Sequence, residues 1–321
     1  MSVIREGKVK RVLEDPESSQ HVIIEFTNFV TAGDGAKKEE LEGKGRLACD
    51  ITEFLLQYLS DKGIETHYVE TLEGPKIRCF RAAILPVEVV CRNVAAGSFC
   101  RRYGIDRGIE LSEPLVEFFL KDDKLGDPLI TEEAVMRLQL VNRSDIGFMK
   151  SIALSVNHYL SELFAQQNLR LVDFKLEFGR TADGRLVVAD EISGDTMRIW
   201  NKEGESLDKD LFREDSGDLL SAYVGLLDIL RKTDPKIIPI RSEEVHVMVM
   251  PKEGIKNPPG EVTRKGLIRL GFQDVKEVRV GKEFKIVLTR PLTSSLLKGL
   301  ELMNIKLLTN PIAETHEVRL S

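Results

Sequence analysis

Apolar residues along this chain either alternate with polar ones or recur every three to four positions, which places strands and helices before any chemistry is considered. Residues 8–13 and 22–26 alternate as strands, and Asp15-Pro16-Glu17-Ser18-Ser19 between them supplies turn residues, so the pair reads as a hairpin. Residues 47–62 switch to helical spacing through Ile51, Phe54, Leu55, Tyr58 and Leu59, with Gly63 as a stop. Strand patterns return at 77–80 and 87–91. The spacing of Ile152, Val156, Leu160 and Leu163 predicts a long helix from Ser144 to about Gln167. Residues 171–178 and 185–189 read as a second hairpin, and 218–232 as an amphipathic helix that closes this part.

After it, residues 233–239 carry linker composition around Asp234-Pro235 and Pro239. A compact series follows: strand 245–250, helix 261–270, strands 275–280 and 284–288, helix 293–303 and strand 317–320. That βαββαβ order is the ferredoxin-like arrangement. A length of 321 residues exceeds one ordinary core, which agrees with two or more domains. Charge changes at the same place. From Glu243 onward there are 13 Lys+Arg against 10 Asp+Glu, so the overall −6 leaves −9 on the first 242 residues.

Composition removes several classes of function. No apolar run approaches the roughly 20 residues that span a bilayer, and the charged first ten residues lack the core of a secretory signal, so the cytoplasm is the expected location. No basic stripe with interleaved aromatics marks nucleic-acid binding. Cys49, Cys79, Cys91 and Cys100 form no CxxC pair and have no histidine at zinc spacing, so reduced and mostly buried thiols are expected. The five histidines are equally scattered. Lysine, arginine and carboxylates must therefore carry any chemistry.

The most informative segment is Leu171-Val172-Asp173-Phe174-Lys175-Leu176-Glu177-Phe178-Gly179. Alternation puts Asp173, Lys175 and Glu177 on one strand face and Val172, Phe174, Leu176 and Phe178 on the other. A two-residue turn centred on Asp183-Gly184 then predicts that Glu177 faces Asp190 across the hairpin. Two facing carboxylates repel unless a cation lies between them, and Mg²⁺ carrying nucleotide phosphates is the natural occupant. An exposed charged face with Lys175 as counter-ion is the simpler alternative.

Other candidates are less specific. Gly7-Lys8-Val9-Lys10 puts two lysines on one expected strand face beside a glycine that admits phosphate, although surface strands often carry lysine. Residues 31–38, Thr31-Ala32-Gly33-Asp34-Gly35-Ala36-Lys37-Lys38, form a glycine-punctuated loop. Arg92 ends an apolar strand, and Gly97-Ser98 opens an expected helix to Tyr103, offering N–H groups, a hydroxyl and a guanidinium to an anion. Helix capping alone explains that pattern equally well. Residues 121–128 read as a solvated loop. Asp195, Arg198, Lys209 and Arg213 add charge without a defined role.

Taken together, the strings GKVKRV (7–12), TAGDGAKK (31–38), VVCRNVAAGS (89–98), GIELSEPLVEFFLKDDKLGDPLI (108–130), LVDFKLEFG (171–179) and DEISGDTMRIW (190–200) resemble the phosphoribosylaminoimidazole-succinocarboxamide synthase (SAICAR synthetase) family, in its order and spacing, from about residue 3 to 232. The resemblance implies an α+β, two-lobed fold related to ATP-grasp enzymes, over 1–236, with an N-lobe of about 1–88 and a C-lobe of about 89–236. It implies ATP-dependent joining of L-aspartate to the carboxylate of carboxyaminoimidazole ribonucleotide (CAIR) through an acyl phosphate. Lys8 and Lys10 would contact ATP phosphates and, with Lys121 and Lys175, serve catalysis. Glu177 and Asp190 would bind Mg²⁺. Ile84, Leu85 and Val87 would line the adenine pocket. Arg92, Ser98, Asp173, Lys175, Asp195, Arg198 and Arg213 would hold CAIR or its co-substrate. Two positions depart from the family pattern: Val94 replaces a frequent basic residue, and Gly194 a frequent proline.

The tail, over 243–321, resembles the small subunit of the formylglycinamidine ribonucleotide (FGAM) synthase complex, through Met250-Pro251-Lys252, Asn257-Pro258-Pro259-Gly260, Leu270-Gly271-Phe272, Val278-Arg279-Val280-Gly281-Lys282 and Leu307-Leu308-Thr309-Asn310-Pro311. The resemblance implies a role in assembly with the large and glutaminase subunits and self-association, so a homo-oligomer is expected. Arg279 and Lys282 are then contact residues or part of an ordinary solvated face. A kinase-like phosphotransferase with a ligand-sensing tail is the competing function, against which no HRD-type loop or Walker A sequence occurs. A tail used only for homodimerisation is the competing role for the second part.

Overall fold

The computed structural model describes residues 2–32, 37–214, 217–234, 243–288 and 294–320. It divides into two compact units, Met1–Arg241 and Ser242–Ser321. The larger begins with β1 (Val3–Glu6), β2 (Lys10–Glu14), β3 (His21–Phe26), the hairpin of β4 (Phe29–Ala32) and β5 (Lys37–Glu40), α1 (Lys44–Asp61), β6 (Tyr68–Leu72) and β7 (Lys76–Phe80). Antiparallel pairing gives a five-stranded sheet in the order β1-β2-β3-β7-β6. α1 buries Ile51, Leu55, Leu56 and Leu59 completely, each worth roughly 1.5–3 kcal/mol of apolar burial. The expected strand from residue 8 starts later. Gly7 N–H donates to the Lys10 carbonyl at 2.8 Å, so residues 7–9 form a tight loop and Lys8 does not share a strand face with Lys10.

A second sheet follows, built from β8 (Ala82–Val94), α2 (Gly97–Tyr103), β9 (Glu110–Leu120), β10 (Leu129–Ile130), α3 (Glu132–Arg137), α4 (Arg143–Ala165), β11 (Arg170–Thr181), β12 (Leu186–Ala189), β13 (Met197–Trp200), α5 (Asp210–Arg213) and α6 (Leu219–Lys232). Its order is β10-β9-β8-β11-β12, with β13 also on β11. α4 packs on β8, β9 and β11, and its Tyr159, Leu160, Leu163 and Phe164 are fully buried. On β11, Val172, Phe174, Leu176 and Phe178 are buried, while Asp173, Lys175 and Glu177 form ion pairs, as alternation requires.

The hairpin register differs from expectation by one residue. Glu177 pairs with Ala189 and Arg180 with Leu186, not Glu177 with Asp190. Thr181 N–H donates to the Arg185 carbonyl at 3.0 Å, so Ala182, Asp183 and Gly184 make a three-residue loop. Asp183 accepts from the Thr181 hydroxyl and from Arg185 N–H, and Gly184 takes the left-handed position at φ 84°. A longer loop ending in such a glycine outcompetes the two-residue turn.

The smaller unit is a three-stranded antiparallel sheet in the order β15 (Lys282–Leu288), β14 (Glu243–Pro251), β16 (Glu314–Leu320), with α7 (Pro258–Arg269), α8 (Ser294–Met303) and a π-helical turn at Asn304–Leu308. Val245, Val247 and Val249 of the central strand form its core. The expected strand 275–280 has no ladder. The Asn257 side chain donates to the Val280 carbonyl (2.8 Å) and accepts from Val280 N–H (3.3 Å) while also capping α7 by accepting from Gly260 N–H. Val280 is thereby tied to the start of α7 instead of a neighbouring strand. Most of the expected linker 233–239 lies outside the described residues, as do 33–36 of the glycine-punctuated loop. Among the described residues, no helix is long and apolar enough to cross a membrane.

Candidate functional site

Two adjoining clefts lie in the larger unit. The first, about 450 Å³, is lined in part by apolar Val12, Val22 and Ile24 of β2 and β3, Phe80 and Ile84. Lys8, Lys10, Lys121, Lys175, Glu177 and Asp190 line it as well. Lys10 Nζ lies 2.5 Å from the Asp190 carboxylate and 2.8 Å from Glu191. Lys121 Nζ lies 2.5 Å from Glu177, and Lys175 Nζ 2.7 Å from Glu88 and 3.4 Å from Glu177. Lys8 reaches Asp123 at 2.9 Å. Burial acts to lower the Lys10 pKa, but Asp190, Glu191 and Glu177 outweigh it, and Lys10 stays charged well above the ordinary lysine range. Lys175 behaves alike, with Glu177 and Glu88 outweighing burial.

The carboxylates of Glu177 and Asp190 reach the same cleft by a route the sequence did not show. In an unbroken strand, Asp190 would point away from the face of Glu177. Asp190 instead leaves β12 at φ 65°, a left-handed conformation unusual for a residue with a Cβ, and its carboxylate turns back to Lys10. No group of three or more His, Cys, Asp or Glu is arranged to hold a metal among the described residues. Two carboxylates suit a divalent cation that draws its remaining ligands from phosphate and water, and for them it would compete with the Lys10 and Lys121 ammonium groups.

The second cleft, about 720 Å³, is lined by eight cationic side chains against four carboxylates. Arg92 spends Nε on Glu117 and one terminal nitrogen on Asp173, both at 2.7 Å, and is nearly fully buried. Arg198 joins Asp173 to Asp210, whose second oxygen holds Arg213. Its guanidinium lies against Gly97, where a Cβ would come within 2.6 Å of it. Ser98 does not cap α2, which starts at Gly97 after Ala96. Its hydroxyl accepts from Arg102 at 3.2 Å. Asp195 is buried between Lys44 and Lys209. Burial pushes its pKa up, yet the two lysines win and bring it down to about 2.

Lys8, Glu88, Lys175, Asp195, Thr196 and Lys209 line both clefts, so the two share a wall. Ile84 and Leu85 line a smaller recess of about 370 Å³ with Pro86 and Lys121. The side chain of Val87, expected beside adenine, is fully buried and lines none of these spaces. Lys121, expected in a solvated loop, is drawn inward by Glu177. Sequence reasoning missed Lys44, Glu88 and Glu117. A carboxylate inside the apolar strand 87–91 was a legible signal for Glu88, whereas nothing local marks Lys44 as buried. The cysteines are free, with Cys49, Cys79 and Cys91 buried and Cys100 half-buried.

Both departures have structural explanations. Val94 packs with Ala96, Val172 and Trp200 in the core. At Gly194 the ring of Tyr223 fills the space a side chain would need, within 2.4 Å of a Cβ.

The SAICAR synthetase family model matches residues 3–228, and the PurS model, described as phosphoribosylformylglycinamidine (FGAM) synthase, matches 244–321. The phosphoribosylaminoimidazole-succinocarboxamide synthase of Lactococcus lactis subsp. lactis is 45% identical over 228 residues, 71% of this chain and 96% of that protein. That of Staphylococcus carnosus is 45% identical over 231 residues, 72% and 98% of the two chains. The Ehrlichia chaffeensis enzyme structure is 36% identical with a TM-score of 0.70, covering 72% of this chain and 98% of its own. A SAICAR synthetase solved in complex with ADP is 39% identical with a TM-score of 0.68, covering 70% and 96%. The chain belongs to the SAICAR synthetase family, and carries a PurS domain of FGAM synthase behind the synthetase.

Proposed function

We propose that the larger unit joins L-aspartate to the CAIR carboxylate at the expense of ATP, with nucleotide in the 450 Å³ cleft and CAIR in the 720 Å³ cleft. The observation that carries this reading is the shared wall. Lys8, Lys175 and Lys209 line both clefts, which supports a meeting of terminal phosphate and substrate carboxylate beside them. Lys8 and Lys10 neutralise the phosphates, and Lys121 and Lys175 hold the reacting oxygens. The CAIR carboxylate oxygen attacks the γ-phosphorus, the bond to the β-phosphate oxygen breaks, and ADP leaves. The aspartate amine then attacks the acyl carbon, loses a proton and expels inorganic phosphate. Magnesium held by Glu177 and Asp190 would supply charge neutralisation on the phosphates. Positioning and electrostatics suffice for such transfers, so no nucleophilic side chain is required.

The cation excess of the second cleft suits substrates bearing phosphate and carboxylates. Arg92, Ser98, Asp173, Asp195, Arg198 and Arg213 belong to this side, with Arg92 and Asp173 acting largely through each other. The change of sheet between β7 and β8 supports two lobes with the step near residue 81, earlier than the 88/89 boundary placed from the sequence, which falls inside β8. Isotope-traced product analysis with CAIR, aspartate and ATP tests the assignment. SAICAR must form in step with ADP.

For the smaller unit we propose the role of small assembly subunit in FGAM synthase, contacting the large and glutaminase subunits. Leu270, Phe272, Leu307 and Ile312 are each more than half exposed, and exposed apolar side chains of this kind support a contact role. Pull-down with those subunits tests it. Self-association without their capture would favour a homodimerisation appendage.

A further inference from the structure

His67 lies in the loop before β6 and is 3% exposed, on the wall of the nucleotide cleft near Asp190. Its Nε2 is 3.0 Å from the Asp190 carbonyl oxygen, which can only accept, so Nε2 carries the proton and donates. The Cys79 sulfur stands 3.6 Å from the same nitrogen. The main chain of this segment is fixed as well. His67 N–H donates to the Val188 carbonyl at 2.8 Å, and Val188 N–H to the Glu65 carbonyl at 2.9 Å. The imidazole is thus anchored beside β12, the strand that ends just before Asp190. A left-handed residue other than glycine is disfavoured, less so for Asp than for most, and is held there by the contacts of its own backbone. With the donor removed, the Asp190 carbonyl loses this partner, and the left-handed backbone that sets the direction of the Asp190 Cα–Cβ bond can relax. That relaxation would swing the carboxylate away from Lys10 and the cleft.

We propose that His67 is a positioning residue for the divalent cation, its Nε2–H holding the Asp190 carbonyl in the turn that aims the Asp190 carboxylate at the nucleotide phosphates. This rests on the reading that Glu177 and Asp190 hold magnesium. It differs from a ligand role, because the imidazole addresses the main chain and not the cation. Groups that orient metal ligands in this way typically contribute 10–100-fold in metal affinity.

The test is the dissociation constant of Mn²⁺, as a magnesium surrogate, from the full chain saturated with ADP. It is read by electron paramagnetic resonance with neither CAIR nor aspartate present. His67→Gln places an amide nitrogen near the position of Nε2 and should bind Mn²⁺ within about threefold of the parent, whereas His67→Met, similar in volume but without a donor, should weaken binding about 10–100-fold. Should His67→Met fail to fold, His67→Asn replaces it, since its amide nitrogen stands at the place of Nδ1. Parent-like Mn²⁺ affinity in the variant without the donor would overturn the proposal while Asp190→Asn still loses the ion. Parent-like affinity in Asp190→Asn would instead overturn the metal site itself, and this proposal with it. Equal weakening in His67→Gln and His67→Met would show that the donor is not what matters.

Discussion

Lys10 and Asp190 meet through a 2.5 Å ion pair although 180 residues separate them in the chain. The N-terminal sheet thereby meets the end of β12, and the 450 Å³ cleft draws its charge from both sheets. If Asp190 and Glu177 hold the metal, Asp190→Asn and Glu177→Gln should each lower kcat by about 1,000-fold or more, ~4 kcal/mol of transition-state stabilisation. Circular dichroism should be unchanged. Near-normal turnover in either variant would remove the metal site from that hairpin.

Gly97 supports Arg198. Its φ of 54° and the 2.6 Å approach of the guanidinium leave no room for a methyl group. Gly97→Ala should displace Arg198 and raise the KM for CAIR roughly tenfold, about 1.4 kcal/mol, with the KM for ATP within about twofold. Steady-state kinetics with each substrate varied separately will show the split. Equal changes in both would mean the glycine serves the fold as a whole.

Lys44 is 1% exposed and paired with Asp195, which Lys209 also reaches at 3.3 Å. Removing one partner of a buried pair leaves an uncompensated charge. Lys44→Met should cost about 3–5 kcal/mol in urea unfolding, less by whatever Lys209 recovers. A loss below about 1 kcal/mol would indicate that Lys209 alone balances Asp195.

Asp208 supplies a pH signature. Burial first and the charge of Asp210 second push its pKa up to about 6, against 3.8 ordinarily. The folded chain therefore takes up this proton before the unfolded chain does as pH falls. The stabilisation is complete below 3.8 and is lost as pH rises through about 6. Asp208→Asn should consequently be less damaging at about pH 8 than at about pH 5, by on the order of 1 kcal/mol, in paired denaturant titrations. A difference of the opposite sign would contradict the assignment.

Much of this site was legible in the sequence because strand alternation is a strong constraint. Asp173, Lys175 and Glu177 could be placed on one face of β11, and the structure gives all three their ion pairs. The turn was misread because the side chain of Asp183, not the dipeptide Asp183-Gly184 alone, sets the loop length. Asp190 then reached the expected cleft through a left-handed residue that no periodicity encodes. The missing strand at 275–280 has the same origin, since Asn257 competes for Val280 through a contact 23 residues away. Lys44 was invisible for a related reason. Its burial depends on Asp195 arriving from 151 residues further on.

ADP release measured with CAIR, in the presence and absence of L-aspartate, tests the central claim most directly. The account predicts that sustained ADP release requires both, with one aspartate consumed and one SAICAR formed per ADP. ADP released at the same rate without aspartate would contradict it and return the site to an ordinary phosphotransferase.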